Sequence, residues 1–161
     1  MKPEYVIETD FEILGFDGDN AFLSNFYPAN VEFERHLYPT AEHAYQAAKS
    51  IDPRVRLEFL GVISPSKAKK LGRTLELRSD WETVKYDIML QIVFDKFLRN
   101  KELRQKLVAT AGKYLEETNH WGDTVWGVDA TTNIGTNWLG MILMDVRKCF
   151  KSSSYFELLK K

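Results

Sequence analysis

The segment Tyr38-Pro39-Thr40-Ala41-Glu42-His43-Ala44-Tyr45-Gln46-Ala47-Ala48-Lys49 limits the fold of this chain more than any other. Pro39-Thr40 reads as a helix start, with the Thr40 hydroxyl able to accept from the first exposed amides. From there Glu42, Tyr45, Gln46 and Lys49 fall at i, i+3, i+4 and i+7, so they share one face of one helix. Ala41, Ala44, Ala47 and Ala48 fill most other positions, and such small side chains let a neighbouring element approach closely. The spacing predicts a tightly packed helix to about Ile51. Its varied polar face is expected to be a site wall; the simpler alternative is a solvated amphipathic helix.

The rest of the chain supplies a domain around that helix. Its 161 residues suit one domain with a real core. A net charge of -1 argues against a dedicated, non-specific nucleic-acid binder. Cys149 is alone, so no internal disulfide can form and a reducing compartment is expected. No apolar run approaches the ~20 residues of a membrane span. The acidic N-terminus lacks a secretion pattern, and a cytoplasmic location is expected.

Phe11 to Phe16 reads as a first strand, closed by the Asp17-Gly18-Asp19-Asn20 turn cluster. Val31 to Glu34 and Leu37-Tyr38 form a hairpin pattern. After the Glu42 helix, Pro53 opens a helix ending near Gly61, and Ser64-Pro65-Ser66 opens a short basic helix stopped by Gly72. Ser79 to Asn100 is the longest helical pattern, with Ser79 and Glu82 as a capping box and Val84, Ile88, Ile92, Val93 and Phe97 as its apolar stripe. Asn100 is expected to cap a helix from Lys101 to Ala111, which Gly112 ends. Lys113 to Thr118 reads as extended, and the segment to Thr136 as irregular. The last helix, about Asn137 to Phe150, is apolar all round at its start and is expected to be buried, Cys149 with it. Residues 152–161 read as a tail on a core of about 11–150. The sum is a mainly α, single multihelical domain with a small antiparallel β-sheet near its N-terminus.

Several chemistries find no motif. Gly-x-Gly-x-x-Gly and the phosphate-loop pattern are missing. His36, His43 and His120 lack metal-ligand spacing, and no cysteine pair supports zinc. Gly-x-Ser-x-Gly is absent, which argues against serine acyl transfer. No cofactor and no metal are expected.

Three segments combine polar groups with aromatics beyond what packing needs: Leu23-Ser24-Asn25-Phe26-Tyr27-Pro28, the Glu42 helix, and Trp121-Gly122-Asp123 through Trp126-Gly127 to Asn137-Trp138-Leu139-Gly140. In this order they resemble the NADAR family, also called YbiA-like, over roughly residues 11 to 150. The Glu42 block is the most specific of the three. One departure is the span Val128 to Gly135, longer and less glycine-rich than the family's loop, which bears on the leaving-group pocket.

The resemblance implies cleavage of an N-glycosidic bond in a ribosylated compound, such as ADP-ribosylated guanine or a phosphoribosyl intermediate of riboflavin synthesis. The expected partner is a small ribosyl-phosphate or ADP-ribosyl substrate, free or carried on nucleic acid. Breaking such a bond builds positive charge on the sugar, which a carboxylate can stabilise while activating water. Glu42 matches the family's candidate, and its first-turn place favours the ionised form. Asp123 is either a second carboxylate acting on the leaving base or a turn cap. Ser24 and Asn25 are expected at ribose hydroxyls or as loop-stabilising groups. Phe26, Tyr45, Trp81, Trp121 and Trp126 offer stacking faces, with core packing the alternative for each. Trp81 and Lys85, one turn apart, are expected to meet a phosphorylated substrate together; Gln46 is expected alongside Glu42, and Lys49 at phosphate or paired with the neighbours of Glu42, with a solvated lysine the alternative. Gly122 belongs to the same Trp-Gly element. Asn137 is expected to cap the last helix and make its N-terminus a phosphate site, and Gly140 to allow close approach of backbone or ligand. The competing readings are a module that binds ADP-ribose without cleaving it and a protein with a decayed site.

Overall fold

The computed structural model describes residues 4–152. In chain order the elements are β1 (Ile7–Glu8), β2 (Glu12–Leu14), β3 (Val31–Phe33), β4 (His36–Tyr38), α1 (Ala41–Ala47), α2 (Pro53–Glu58), α3 (Pro65–Gly72) and α4 (Trp81–Arg99). They continue with α5 (Lys101–Ala109), β5 (Tyr114–Glu116), β6 (Thr118–Asn119), β7 (Val128–Asp129) and α6 (Trp138–Lys151). Two 3-10 turns, Gly18–Leu23 and Phe59–Gly61, complete the set. The chain is mainly helical, as expected. No described helix is long and apolar enough to cross a membrane. The tail expected over residues 152–161 lies outside the described residues from 153 onward.

The packing divides into two compact units: Asn25–Asn100, and the segments up to Ser24 and from Lys101 onward. In the Asn25–Asn100 unit, β3 and β4 pair as the expected antiparallel hairpin, turned by Glu34 and Arg35 at φ 45° and 66°. α1 packs against α3, α4 and β3. Its three alanines, and Ala48 just beyond its end, are wholly buried. Small residues on the packed side are what lets three elements close on so short a helix. Thr40 caps it as expected, accepting from His43 N at 3.2 Å, but the helix ends at Ala47 rather than near Ile51.

α4 departs from its expected caps. It starts at Trp81 with Asp80 at the N-cap and no side-chain cap bond. The Ser79–Glu82 capping box does not form, because Glu82 pairs with Lys85 and Asp80 is clamped by Arg78. Asn100 closes the end of α4 instead of opening α5, donating to the carbonyl of Lys96 at 2.7 Å and of Asn30 at 3.1 Å.

In the other unit, β2 lies between β1, antiparallel, and β5, parallel, with Ile13 opposite Leu115. A separate parallel pair joins β6 to β7. Sheet structure is therefore wider than one antiparallel hairpin, because strands far apart in sequence pair. α6 packs on β5 and α5. Ala111, at φ 53°, takes the left-handed position after α5 that Gly112 was expected to take. α6 is not buried all round: Met141 and Cys149 are exposed, since the helix has one face turned out.

Candidate active site

Glu42 sits in the first turn of α1 and is only 6% exposed. Its backbone N–H donates to the Asn25 carbonyl at 3.0 Å, which ties the Asn25 segment to the start of the helix. Gln46, one turn on, donates through Nε2 to Glu42 Oε1 at 2.7 Å. Asn25 is buried as well. Its Nδ2 donates to Met89 Sδ at 3.3 Å, and its Oδ1 has no hydrogen-bond partner among the described residues. The same holds for Gln46 Oε1. Buried polar atoms normally find partners, so two orphan acceptors beside a buried carboxylate mark this part of the Asn25–Asn100 unit as built for something other than packing. The solvated-helix alternative does not hold, because every residue of α1 is buried.

Around Glu42 stand aromatics and cations. The Tyr45 and Trp81 rings pack 5.1 Å apart at 49°, both nearly covered, so they form a fixed pair rather than open stacking faces. Lys49 Nζ lies 6.0 Å from the Tyr45 ring centre. Burial holds the Lys49 amine below the usual lysine range; Glu42 opposes that shift, while Arg73 and Lys69 reinforce it. Lys69 Nζ in turn lies 5.8 Å from the half-buried Phe26 ring. Lys49 thus feels the charge of both Lys69 and Arg73. In sequence Lys69 read only as part of a short basic helix and Arg73, beyond Gly72, was not singled out; their i, i+4 spacing was the available signal. Lys85, expected with Trp81, is engaged by Glu82.

His43 is a structural part of this wall. Its Nε2 lies 3.0 Å from the Val62 carbonyl and its Nδ1 2.7 Å from Thr40 Oγ1. A carbonyl only accepts, so Nε2 carries the proton and Nδ1 accepts from the Thr40 hydroxyl. Burial lowers the His43 pKa, against the opposing Val62 bond. Lys96, fully buried with its ammonium 5.9 Å from the Tyr27 ring centre, was missed in sequence. It continues the Ile88–Ile92 step of the α4 stripe, where a lysine is out of place.

The other expected residues gather in the second unit, around Asn119. This wholly buried side chain accepts from Trp121 N and Asp123 N at 3.2 and 3.0 Å, and donates to the carbonyls of Asp123 and Val128 at 2.8 and 3.1 Å. It shapes the Trp121–Trp126 loop, and its place beside the Trp-Gly element was the missed signal. Asp123 Oδ1 accepts from Val125 N and Trp126 N at 3.0 and 2.9 Å. Its turn-capping alternative is therefore realised through one oxygen. Gly122 takes φ 76°, Trp121 is 58% exposed, and Trp126 packs edge-on against Trp138 at 5.6 Å. Ser24 closes the first 3-10 turn through its backbone N–H.

Asn137 does not cap α6. It adopts φ 51° with no side-chain cap bond, donating instead to Leu115 O and Tyr114 Oη at 2.9 and 3.0 Å and accepting from Glu117 N at 3.1 Å. The first amides of α6 are also taken: Trp138 N and Leu139 N donate to the carbonyls of Val125 and Trp126. The phosphate site expected there is thus occupied by the chain's own loop. A Cβ on Gly140 would lie 2.1 Å from the Leu115 carbonyl, so close backbone approach explains that glycine. Among the described residues no three His, Cys, Asp or Glu side chains gather as a metal set.

These features describe a mainly helical protein with a carboxylate-centred polar site on a buried helix. The chain belongs to the NADAR family: the NADAR domain model matches residues 15–151, across both units. It is 38% identical over 133 residues to N-glycosidase YbiA of Escherichia coli, covering 81% of each chain. It is 35% identical over 146 residues to a riboflavin biosynthesis protein of Vibrio vulnificus, spanning 89% of this chain but 39% of that longer one. The solution structure of Escherichia coli YbiA superposes with a TM-score of 0.79 at 32% identity, covering 98% of this chain and 93% of that one.

Proposed function

We propose that this protein is an N-glycosidase that hydrolyses the C–N bond between a ribosyl carbon and a nitrogen base, with Glu42 as its central group. The observation carrying this reading is the buried Glu42 carboxylate, fixed by Gln46 and with its backbone N–H tied to the carbonyl of the buried Asn25. Relatives at 37–38% identity bear the name N-glycosidase. As the C–N bond breaks, positive charge grows on the sugar and the Glu42 carboxylate stabilises it. Water then adds its oxygen to the anomeric carbon. One proton passes to the carboxylate and on to solvent, and the departing nitrogen is protonated in its turn. Gln46 keeps the carboxylate oriented, so little reorganisation is needed at the moment of reaction. Asn25 Oδ1 accepts a ribose hydroxyl. Lys49, with Lys69 and Arg73, takes the substrate's phosphate, where charge-assisted bonds are strong.

The substrate class is a phosphorylated ribosyl or ADP-ribosyl compound of a nitrogen base. The test is a product assay with purified protein on ADP-ribosylated guanine in DNA, phosphoribosyl pyrimidine intermediates and NAD. Release of the free base with a reducing ribosyl phosphate is expected from at least one. Saturable binding of all three with intact recovery after long incubation would replace the hydrolase by the binding module.

A further inference from the structure

Gly72 ends α3 with ordinary helical backbone, so its φ does not demand glycine, and alanine would be the better helix former. The reason for glycine lies across the packing interface with α1. A Cβ on Gly72 would stand 1.9 Å from Gln46 Oε1, 2.8 Å from its Cδ and 3.0 Å from its Cβ. No side chain fits there while Gln46 keeps its place. The carbonyl end of Gln46 has no hydrogen-bond partner among the described residues; its anchoring bond is the one from Nε2 to Glu42 Oε1 at 2.7 Å. Turning the amide over would set its oxygen against a carboxylate oxygen. The groove at Gly72 therefore accommodates the one arrangement in which Gln46 holds Glu42.

We propose that Gly72 is a positioning residue for the glycosidase reaction: its missing side chain seats the Gln46 amide, and the seated amide orients the Glu42 carboxylate. The proposal rests on the assignment of Glu42 above. Gly72 touches no substrate and acts only through Gln46. An alanine there pushes Gln46 off its seat or the two helices apart, and either movement releases Glu42. Displacement of a reacting group by about 1 Å costs on the order of a hundredfold in rate.

The experiment is a cycle of four proteins: wild type, Gly72→Ala, Gln46→Ala and the double variant. Gly72→Ala is expected to lower kcat at least about tenfold with KM nearly unchanged, the signature of a lost transition-state interaction. Gln46→Ala is expected to do the same, and the double variant to be no slower than Gln46→Ala alone. Melting temperature gives an independent readout. Gly72→Ala should destabilise strongly in the wild-type background and much less in the Gln46→Ala background, where the two shortest contacts are gone. Wild-type kcat in Gly72→Ala, or losses that multiply in the double variant, would overturn the proposal. If the wild-type protein cleaves no ribosylated compound, the glycosidase reading fails while the melting cycle still decides the seating. An equal melting loss in the two backgrounds would then overturn it, and the expected dependence on the side chain at position 46 would support it.

Discussion

Replacing Asn137 with alanine asks how strongly β5 and its flank are tied to the start of α6. The side chain is 3% exposed and makes three hydrogen bonds, at 2.9 Å to Leu115 O, 3.0 Å to Tyr114 Oη and 3.1 Å from Glu117 N. At about 1 kcal/mol net for each, their loss costs about 3 kcal/mol. The backbone stands at φ 51°, which alanine adopts less readily than asparagine, adding up to about 1 kcal/mol. The total is about 3–4 kcal/mol, where an ordinary helix cap would cost about 1 kcal/mol. For a chain of this size that corresponds to a fall in Tm of about 6–16 °C. Scanning calorimetry together with urea unfolding reads both quantities. A loss of about 1 kcal/mol or less would refute the reasoning, because the three bonds would then carry no more than the cap they replace.

Other outcomes follow from the same geometry. Asp123→Asn keeps an oxygen for Val125 N and Trp126 N, so its Tm is expected within a degree or two of wild type, whereas Asp123→Ala loses both bonds, about 2 kcal/mol, and should fall about 4–8 °C; equal Tm values for the two variants would contradict the turn-capping role. Arg73→Gln is expected to raise KM for a phosphorylated substrate about tenfold with little change in kcat, an effect that shrinks at high salt; a salt-independent, unchanged KM would remove Arg73 from the phosphate site. His43 is held below its ordinary pKa of 6.5 by burial, so its contribution to stability is complete above that value. That contribution declines as pH falls from there toward the lower folded-state pKa, because the unfolded chain takes up the proton first. The Tm difference between wild type and His43→Gln should therefore narrow on acidification; a constant difference from pH 8 to pH 5 would contradict the buried neutral ring.

What was legible in the sequence was local. Thr40 as a cap, the β3–β4 hairpin and the alanine back of α1 all follow from spacings of four residues or fewer. Glu42, Gln46 and Lys49 could be named together for the same reason. Where the reading failed, a partner outside the matched pattern had intervened. Asn137 looks like a cap until Leu115 and Glu117 arrive from β5 and its flank. Ser79 and Glu82 match a capping box, yet Lys85 engages Glu82 and Arg78 engages Asp80 first. Gly72 reads as a helix stop because no pattern within α3 reveals that Gln46 lies against it. Lys69 reads only as part of a short basic helix until α3 is packed on α1. Lys96 was the exception, legible in the α4 stripe and overlooked.

The account centres on the Glu42 carboxylate, and Glu42→Gln tests it with the least disturbance, since the amide keeps the size and shape of the acid. The decisive measurement is single-turnover cleavage of a ribosylated substrate by this variant, alongside its affinity for the same compound. The account predicts cleavage slowed by about three orders of magnitude or more with affinity and Tm nearly unchanged. Cleavage at the wild-type rate would contradict it.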